Sequence, residues 1–344
     1  MTTVGLTGYG RYLPEEVLTG EKVAERSGIP EHVVVEKMGL REKRVCPPET
    51  DHVTEMAVAA SEEALVNAGL AATDLDLVLY HGSEFKDHVV WSAAAKIAHR
   101  LGAENAYATE SYTLCAGAPV AIRQVAAQLQ VGDVDRALLV AASREEDLID
   151  YENDDSSFMF NFGSGAAAMV LEADPGTSDG ADTRAIVHES AALTDGSFAD
   201  DVVMHAGGSV EPPSAESVEA GRHTLDVPDQ AGMKERLGPV SLPNYLEVAD
   251  NALEKSGYSR EDVDFVAVTH MKRSFHDIVF DELGLDPETD GYYLDEYGHV
   301  QSADQLLALE EGRLAGRLER DDVVLFLAAG TGYTWSATVL RWLG

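Results

Sequence analysis

The stretch ESYTLCAGAPVAIRQVAAQLQ (110–130) decides the reading of this chain: an extended run ends at Cys115 and a helix begins just behind it. Pro119 is tolerated in the first turn of such a helix. Backbone N–H groups at a helix start are unpaired and the dipole there is positive, so a thiolate on Cys115 is favoured. The sequence Cys-Ala-Gly leaves only small neighbours around the sulfur. A lone cysteine is also commonly a small buried hydrophobe, so residue types alone leave both roles open. Cys46, in RVCPPET (44–50), sits in a proline-bounded loop with no helix behind it and reads as structural.

Outward from Cys115, apolar runs alternate with helical patterns. In the first half VGLTGYG (4–10), LDLVLYHG (75–82), AYATES (106–111), ALLVAAS (137–143) and GAAAMVLEA (165–173) read as strands. Val53, Met56, Ala57, Ala60 and Ala64 share one face at helical spacing. The second half offers AIVHESAAL (185–193), VDFVAVTH (263–270), GYYLD (291–295), VVLFLAAG (323–330) and SATVLRW (336–342), with helices near 242–257 and 302–316. Such alternation predicts parallel sheets covered by helices, an α/β fold in two similar halves, 1–175 and 176–344. Residues 195–240, with Gly207, Gly208, Pro212 and Pro213, break the pattern. A long irregular insertion either shapes a binding site or is an ordinary surface excursion.

The chain has 344 residues, 45% of them hydrophobic, two cysteines and a net charge of −36. Two cysteines make no disulfide framework, and a reducing cytoplasm is expected. The sequence shows no signal peptide and no apolar stretch of membrane-spanning length. The acidic residues are spread along the chain, so they form no interaction tail, and phosphate binding would need a basic footprint. No nucleic-acid partner, no membrane partner and no metal site are expected. The charge fits a salty cytosol, where carboxylates stay hydrated and repulsion is screened, or an acidic protein of an ordinary host.

From GLREKRVCPPET (39–50) through CAG (115–117) and FGSGAAAMVL (162–171) to VTH (268–270), LDEYGH (294–299) and AAGTGYTWSATVLRW (328–342), the chain resembles the ketoacyl synthase III family in order and spacing. The resemblance spans nearly the whole chain. It implies a thiolase-like five-layered α-β-α-β-α fold of two duplicated halves, normally a homodimer. It also implies an acyl-thioester condensing enzyme, with acyl-CoA or acyl carrier protein as partner and no other cofactor. Carried over by motif, Cys115 is the acylated nucleophile and His270 faces the second thioester. The backbone N–H groups of Cys115 and Thr331 would make the oxyanion hole. Stabilising the enolate that a decarboxylating malonyl thioester forms requires such aimed donors. Lys272 and Arg273, just past His270, and Lys37 are candidate substrate-binding cations; His276 reads as incidental.

Departures are as informative. The family's Gly-Asn pattern is replaced by His299 in YGHVQSAD (297–304). A second histidine still donates a hydrogen bond, and elongating ketoacyl synthases use a Cys-His-His set. Asp304 could orient His299, but a solvated helix carboxylate is the expected reading. By spacing, Val33 stands for a tryptophan, and Lys37 and Ser156 for arginines, where the family holds the adenine end of CoA; a carrier-bound or unusual acyl donor gains weight. HGSEFKDH (81–88) also resembles hydroxymethylglutaryl-CoA synthases and makes Glu84 a candidate general acid/base, although MKRSF (271–275) departs from that family. Aldol condensation through Glu84 and acyl transfer from Cys115 to an alcohol or amine are therefore the alternatives to a decarboxylative Claisen reaction.

The charge of −36 predicts that stability rises with salt, because screening shortens the range of carboxylate repulsion. The melting temperature, followed from low to molar salt, should climb; a flat or falling curve contradicts the salt-adapted reading.

Overall fold

The computed structural model describes residues 2–177 and 183–344. Nine strands make one sheet: β1 (Val4–Tyr12), β2 (Leu77–Tyr80), β3 (Tyr107–Glu110), β4 (Arg136–Ser143), β5 (Gly165–Ala173), β6 (Ala185–Thr194), β7 (Phe265–Val268), β8 (Val323–Gly330) and β9 (Thr334–Trp342). Their order is β7-β8-β9-β6-β1-β5-β4-β2-β3. In the first half β3, β2 and β4 run parallel, while β4, β5 and β1 pair antiparallel. The second half repeats this: β7 and β8 are parallel, then β8, β9 and β6 antiparallel. A short antiparallel contact, Val4–Leu6 with Ala185–Val187, joins the halves.

Five principal helices cover the sheet: α1 (Val53–Ala68), α2 (Gly117–Val131), α3 (Ser241–Ser256), α4 (Arg273–Leu283) and α5 (Asp304–Leu314). Helix α1 packs on the first-half strands, and α3 and α4 on the second-half strands. Helices α2 and α5 lie between the halves, in a core that takes Ile122, Val125 and Leu129 from one and Leu306, Leu307 and Leu309 from the other. Residues 304–309 of α5 are all buried, as a helix covered on every side must be. The layers are thus helix, first half of the sheet, helix, second half of the sheet, helix, as the sequence resemblance implies.

Close approach sets the small residues of α1. A Cβ on Gly8 of β1 would lie 2.4 Å from the Ala64 carbonyl oxygen and 2.5 Å from the Ala68 nitrogen. One on Gly10 would lie 2.5 Å from the Ala60 oxygen. The alanines at 57, 60, 64 and 68 are buried against this glycine track, so helix and strand nearly touch backbone to backbone.

The segment 291–295 departs from its expected strand. Only a single parallel bridge, Val266 with Gly291, remains where a fifth second-half strand would lie. The rest of the segment turns to the first half. The Asp295 carbonyl accepts from the Arg41 and Glu42 backbone nitrogens, and the Tyr293 hydroxyl donates to the Met38 and Met271 carbonyls. These bonds replace a ladder and steer the chain toward residue 299. The insertion at 195–240 carries a two-residue ladder, Val203–Met204 with Leu225–Asp226, and two short helices, Ala215–Glu219 and Gln230–Leu237.

Gly8→Ala should cost about 1–3 kcal/mol, the range for overpacking a tight interface, because backbone atoms of α1 cannot swing aside. Denaturant unfolding checks this; a variant as stable as the parent contradicts the packing described.

Candidate active site

Strand β3 ends at Glu110, and a single 3-10 turn, Leu114–Ala116, leads into α2. Leu114 takes φ +51°, a left-handed conformation that is costly for a leucine. The second half clamps this turn. The Ser336 hydroxyl donates to the Ala116 carbonyl at 3.0 Å. A Cβ on Gly330 would stand 2.9 Å from the Ala116 nitrogen and 3.0 Å from the Cys115 nitrogen, so only glycine fits at the end of β8. Thr331, next in chain, lines the cavity in front of Cys115.

His299 reaches the sulfur from the other side. Its Nε2 lies 3.0 Å from Cys115 Sγ and its Nδ1 2.5 Å from Asp304 Oδ2. The backbone is pinned to the first half: the His299 nitrogen donates to the Asn161 carbonyl at 2.7 Å, and the Gly163 nitrogen donates to the His299 carbonyl at 2.9 Å. Gly298 makes the approach with φ +74°, where a Cβ would sit 2.5 Å from the Asn161 oxygen. The Phe162 ring stacks edgewise on the imidazole at 5.0 Å.

Asp304 corrects the expectation of a solvated carboxylate. Its side chain is fully buried (0% exposed) at the start of α5. It accepts from His299 Nδ1, from the His270 backbone nitrogen at 2.7 Å and from the Val300 nitrogen at 2.7 Å. A helix start is favourable ground for a negative charge, and three donors offset its desolvation.

The two histidines are driven apart electrostatically. For His299, burial alone would lower the titration, but the charges at Asp304 and Cys115 and the hydrogen bonds to both outweigh it and raise it well above the ordinary value. For His270, burial acts first, the charges of His299 and His276 add to it, and the imidazole is held well below that value. His270 is buried, both its ring nitrogens lack a hydrogen-bond partner, and its ring lies 4.7 Å from that of Tyr293. These shifts favour the imidazolium at His299 beside the sulfur and the neutral imidazole, with unpartnered ring nitrogens, at His270, an arrangement that divides acid and base roles.

A cavity of about 930 Å³ opens in front of Cys115. Its wall includes Val202, Val203, Met204 and Leu225 of the insertion, so residues 195–240 do shape the site. Glu84 lines the same cavity, but its side chain is 59% exposed and its nearest cation is Lys86 at 3.7 Å. The carboxylate that burial does raise along this wall is Glu145, which the sequence reading did not single out.

Lys37, Lys272 and Arg273 do not line the cavity. Lys37 and Lys272 are exposed, and Arg273 is engaged with Asp277 and Glu288 over the Tyr293 ring. Ser156 is buried and donates to the Asn153 carbonyl at 2.9 Å. His276 is buried beside Phe280 and Tyr293. Burial pushes the Cys46 thiol up to about 12, which leaves it inert.

Comparison with known proteins agrees with the fold. Residues 110–191 match the family model described as 3-Oxoacyl-[acyl-carrier-protein (ACP)] synthase III, and residues 253–342 match its C-terminal model; together they cover half the chain. Beta-ketoacyl-[acyl-carrier-protein] synthase III of Desulfitobacterium hafniense (strain Y51) is 29% identical over 342 residues, 99% of this chain and 98% of that protein. The protein of the same name from Agrobacterium fabrum is 27% identical over 97% of this chain and 98% of its own length. Among solved structures, 3-oxoacyl-[acyl-carrier-protein] synthase III of Aquifex aeolicus superposes with a TM-score of 0.82 at 24% identity, covering 98% of this chain and 100% of that one.

If Asp304 holds His299 in its charged form beside Cys115, Asp304→Asn removes a charge-assisted hydrogen bond, worth about 1.5–3 kcal/mol. Carbamidomethylation of Cys115 by iodoacetamide at neutral pH should slow roughly 10–100-fold, in line with that energy. An unchanged alkylation rate in a folded variant contradicts the coupling.

Proposed function

We propose, from the premise that the chain belongs to the 3-oxoacyl-[acyl-carrier-protein] synthase III family, that this acyl-transferring condensing enzyme works through an acyl group carried on Cys115 and extended by a decarboxylative Claisen reaction. The observation that carries this reading is the line Asp304–His299–Cys115, 2.5 Å and 3.0 Å long, with the free imidazole of His270 held by the same carboxylate through its backbone nitrogen.

Cys115 Sγ attacks the thioester carbonyl as the thiolate. The oxyanion takes hydrogen bonds from the backbone N–H groups of Cys115 and Thr331, and the leaving thiolate takes a proton from solvent. A malonyl thioester then enters opposite His270 and loses carbon dioxide. Its enolate oxygen accepts from the neutral His270 ring and from Nε2–H of the His299 imidazolium, two donors aimed where charge develops. The enolate carbon attacks the acyl-Cys115 carbonyl, the carbon–sulfur bond breaks, and the thiolate returns to its hydrogen bond with His299. His299 keeps both protons throughout, so no side-chain carboxylate need move one. Glu84, exposed and beside Lys86, has no part in this sequence.

The donor is an acyl-CoA or an acyl carrier protein, and no further cofactor is required because the thioester supplies the activation. Replacement of the family's arginines by Lys37 and Ser156 supports a carrier-bound or unusual donor. A homodimer in the cytoplasm fits the family and the exposed apolar tip Val89-Val90 beside the cavity. Among the described residues no helix is long and apolar enough to cross a membrane.

Intact-mass analysis after incubation with acyl-CoAs and acyl carrier proteins should show a mass gain that maps to Cys115 and vanishes in Cys115→Ala, with the fold preserved. Continued acylation of that variant contradicts the assignment. In turnover, His299→Ala should cost roughly 10²–10³-fold, the size of a lost oxyanion donor. His299→Asn should retain much more activity, and Glu84→Ala should be nearly silent. A series in which Glu84→Ala stops turnover and His299→Ala does not would instead establish aldol-type chemistry.

A further inference from the structure

The cavity wall is apolar at Leu114, Leu148, Met159 and Phe162, and among its polar residues Glu145 and Gln301 form a buried pair that the condensation does not use. Glu145 is buried, and one of its oxygens accepts from the Ser83 hydroxyl at 2.6 Å while the other accepts from the Gln301 amide. Gln301 is 2% exposed and takes φ +54°. Its side-chain oxygen has no hydrogen-bond partner. An unpaired buried acceptor and a left-handed non-glycine residue are both costly to keep.

This patch lies close to the chemistry. Gln301 is two residues beyond His299, whose Nε2 is 3.0 Å from the sulfur. The turn Gln301–Ala303 packs on the turn Leu114–Ala116 that carries Cys115. A group that met Gln301 would sit on one of the first few carbons of an acyl chain attached to Cys115. Its charge is constrained as well. An ammonium would face the His299 imidazolium, and a carboxylate would face Glu145. A neutral hydrogen-bond donor suits both neighbours and satisfies the Gln301 oxygen.

We infer that Glu145 and Gln301 form a polar subsite for a hydroxyl group near the thioester end of the acyl chain, so that hydroxyacyl thioesters load in preference to unsubstituted ones. Gln301 receives the hydroxyl hydrogen, and Glu145, itself held by Ser83, engages the amide nitrogen and leaves the oxygen unpaired in the cavity wall. The inference rests on the reading of Cys115 as the acyl carrier. A site built to pair a substrate hydroxyl discriminates strongly against an analogue that lacks it, because its own polar groups are then left unpaired.

The test is the rate at which the full-length protein gains acyl mass on Cys115 from racemic 2-hydroxybutyryl-CoA, racemic 3-hydroxybutyryl-CoA and butyryl-CoA. At least one hydroxyacyl donor should load about tenfold or more faster than butyryl-CoA, a modest share of the discrimination such sites reach. The preference should fall toward parity in Gln301→Leu and in the shape-preserving Glu145→Gln, each checked for a native melting transition. Equal or slower loading of both hydroxyacyl donors by the parent protein overturns the subsite, as does a preference that survives in both variants. Loading by none of the three acyl groups, each offered as the CoA and as the acyl carrier protein thioester, overturns the role of Cys115 itself, and with it the subsite.

Discussion

The structure depends on one buried negative charge. Among the described residues no lysine or arginine pairs with Asp304; its oxygens are met by the His299 ring and by the backbone nitrogens of His270 and Val300. Burying a carboxylate costs several kcal/mol unless it is paired and hydrogen-bonded. That requirement orders the site: it holds His299 in its charged form, aims the other ring nitrogen at Cys115 and fixes the backbone from which His270 projects. Removing the carboxylate loosens three things at once, whereas removing the His299 ring leaves a buried charge without one of its donors.

The site also explains why both halves are needed. Cys115 begins a helix of the first half, yet Gly330 and Ser336 of the second half bear on its turn. His299 belongs to the second half, yet its peptide group is bonded to Asn161 and Gly163 of the first. Cys115 and His299 are each positioned by the other half, across a core to which α2 and α5 both contribute. Backbone contacts this close leave room only for glycine at 298 and 330. Errors of about 1 Å in such a constellation are costly to rate.

Much of this was legible in the sequence. Buried strands read as continuous apolar runs, and β1, β4, β5, β6, β8 and β9 lie where such runs place them, within a few residues. The segment 291–295 has the same composition but gives its hydrogen bonds to residues 38–42, a long-range choice that no local pattern records. Cys115 at a helix start was readable because the physics is local. Asp304 was not: in a chain with 61 acidic residues, a carboxylate at the start of a helix looks like one more solvated charge, and its burial depends on two histidines that only the fold brings together. Glu145 was hidden for the same reason, inside the run Arg-Glu-Glu-Asp. Glu84 shows the converse, since a suggestive local pattern does not say which way its side chain points.

The central claim is that the two histidines hold opposite protonation states because of Asp304. Nitrogen NMR of histidine-labelled protein, with signals assigned through His270 and His299 substitutions, reads those states directly. At neutral pH His299 should carry a proton on both ring nitrogens and His270 on only one, and the imidazolium signal should revert to the neutral form in Asp304→Asn. A neutral His299 in the parent protein, or a charged His270, would contradict the account.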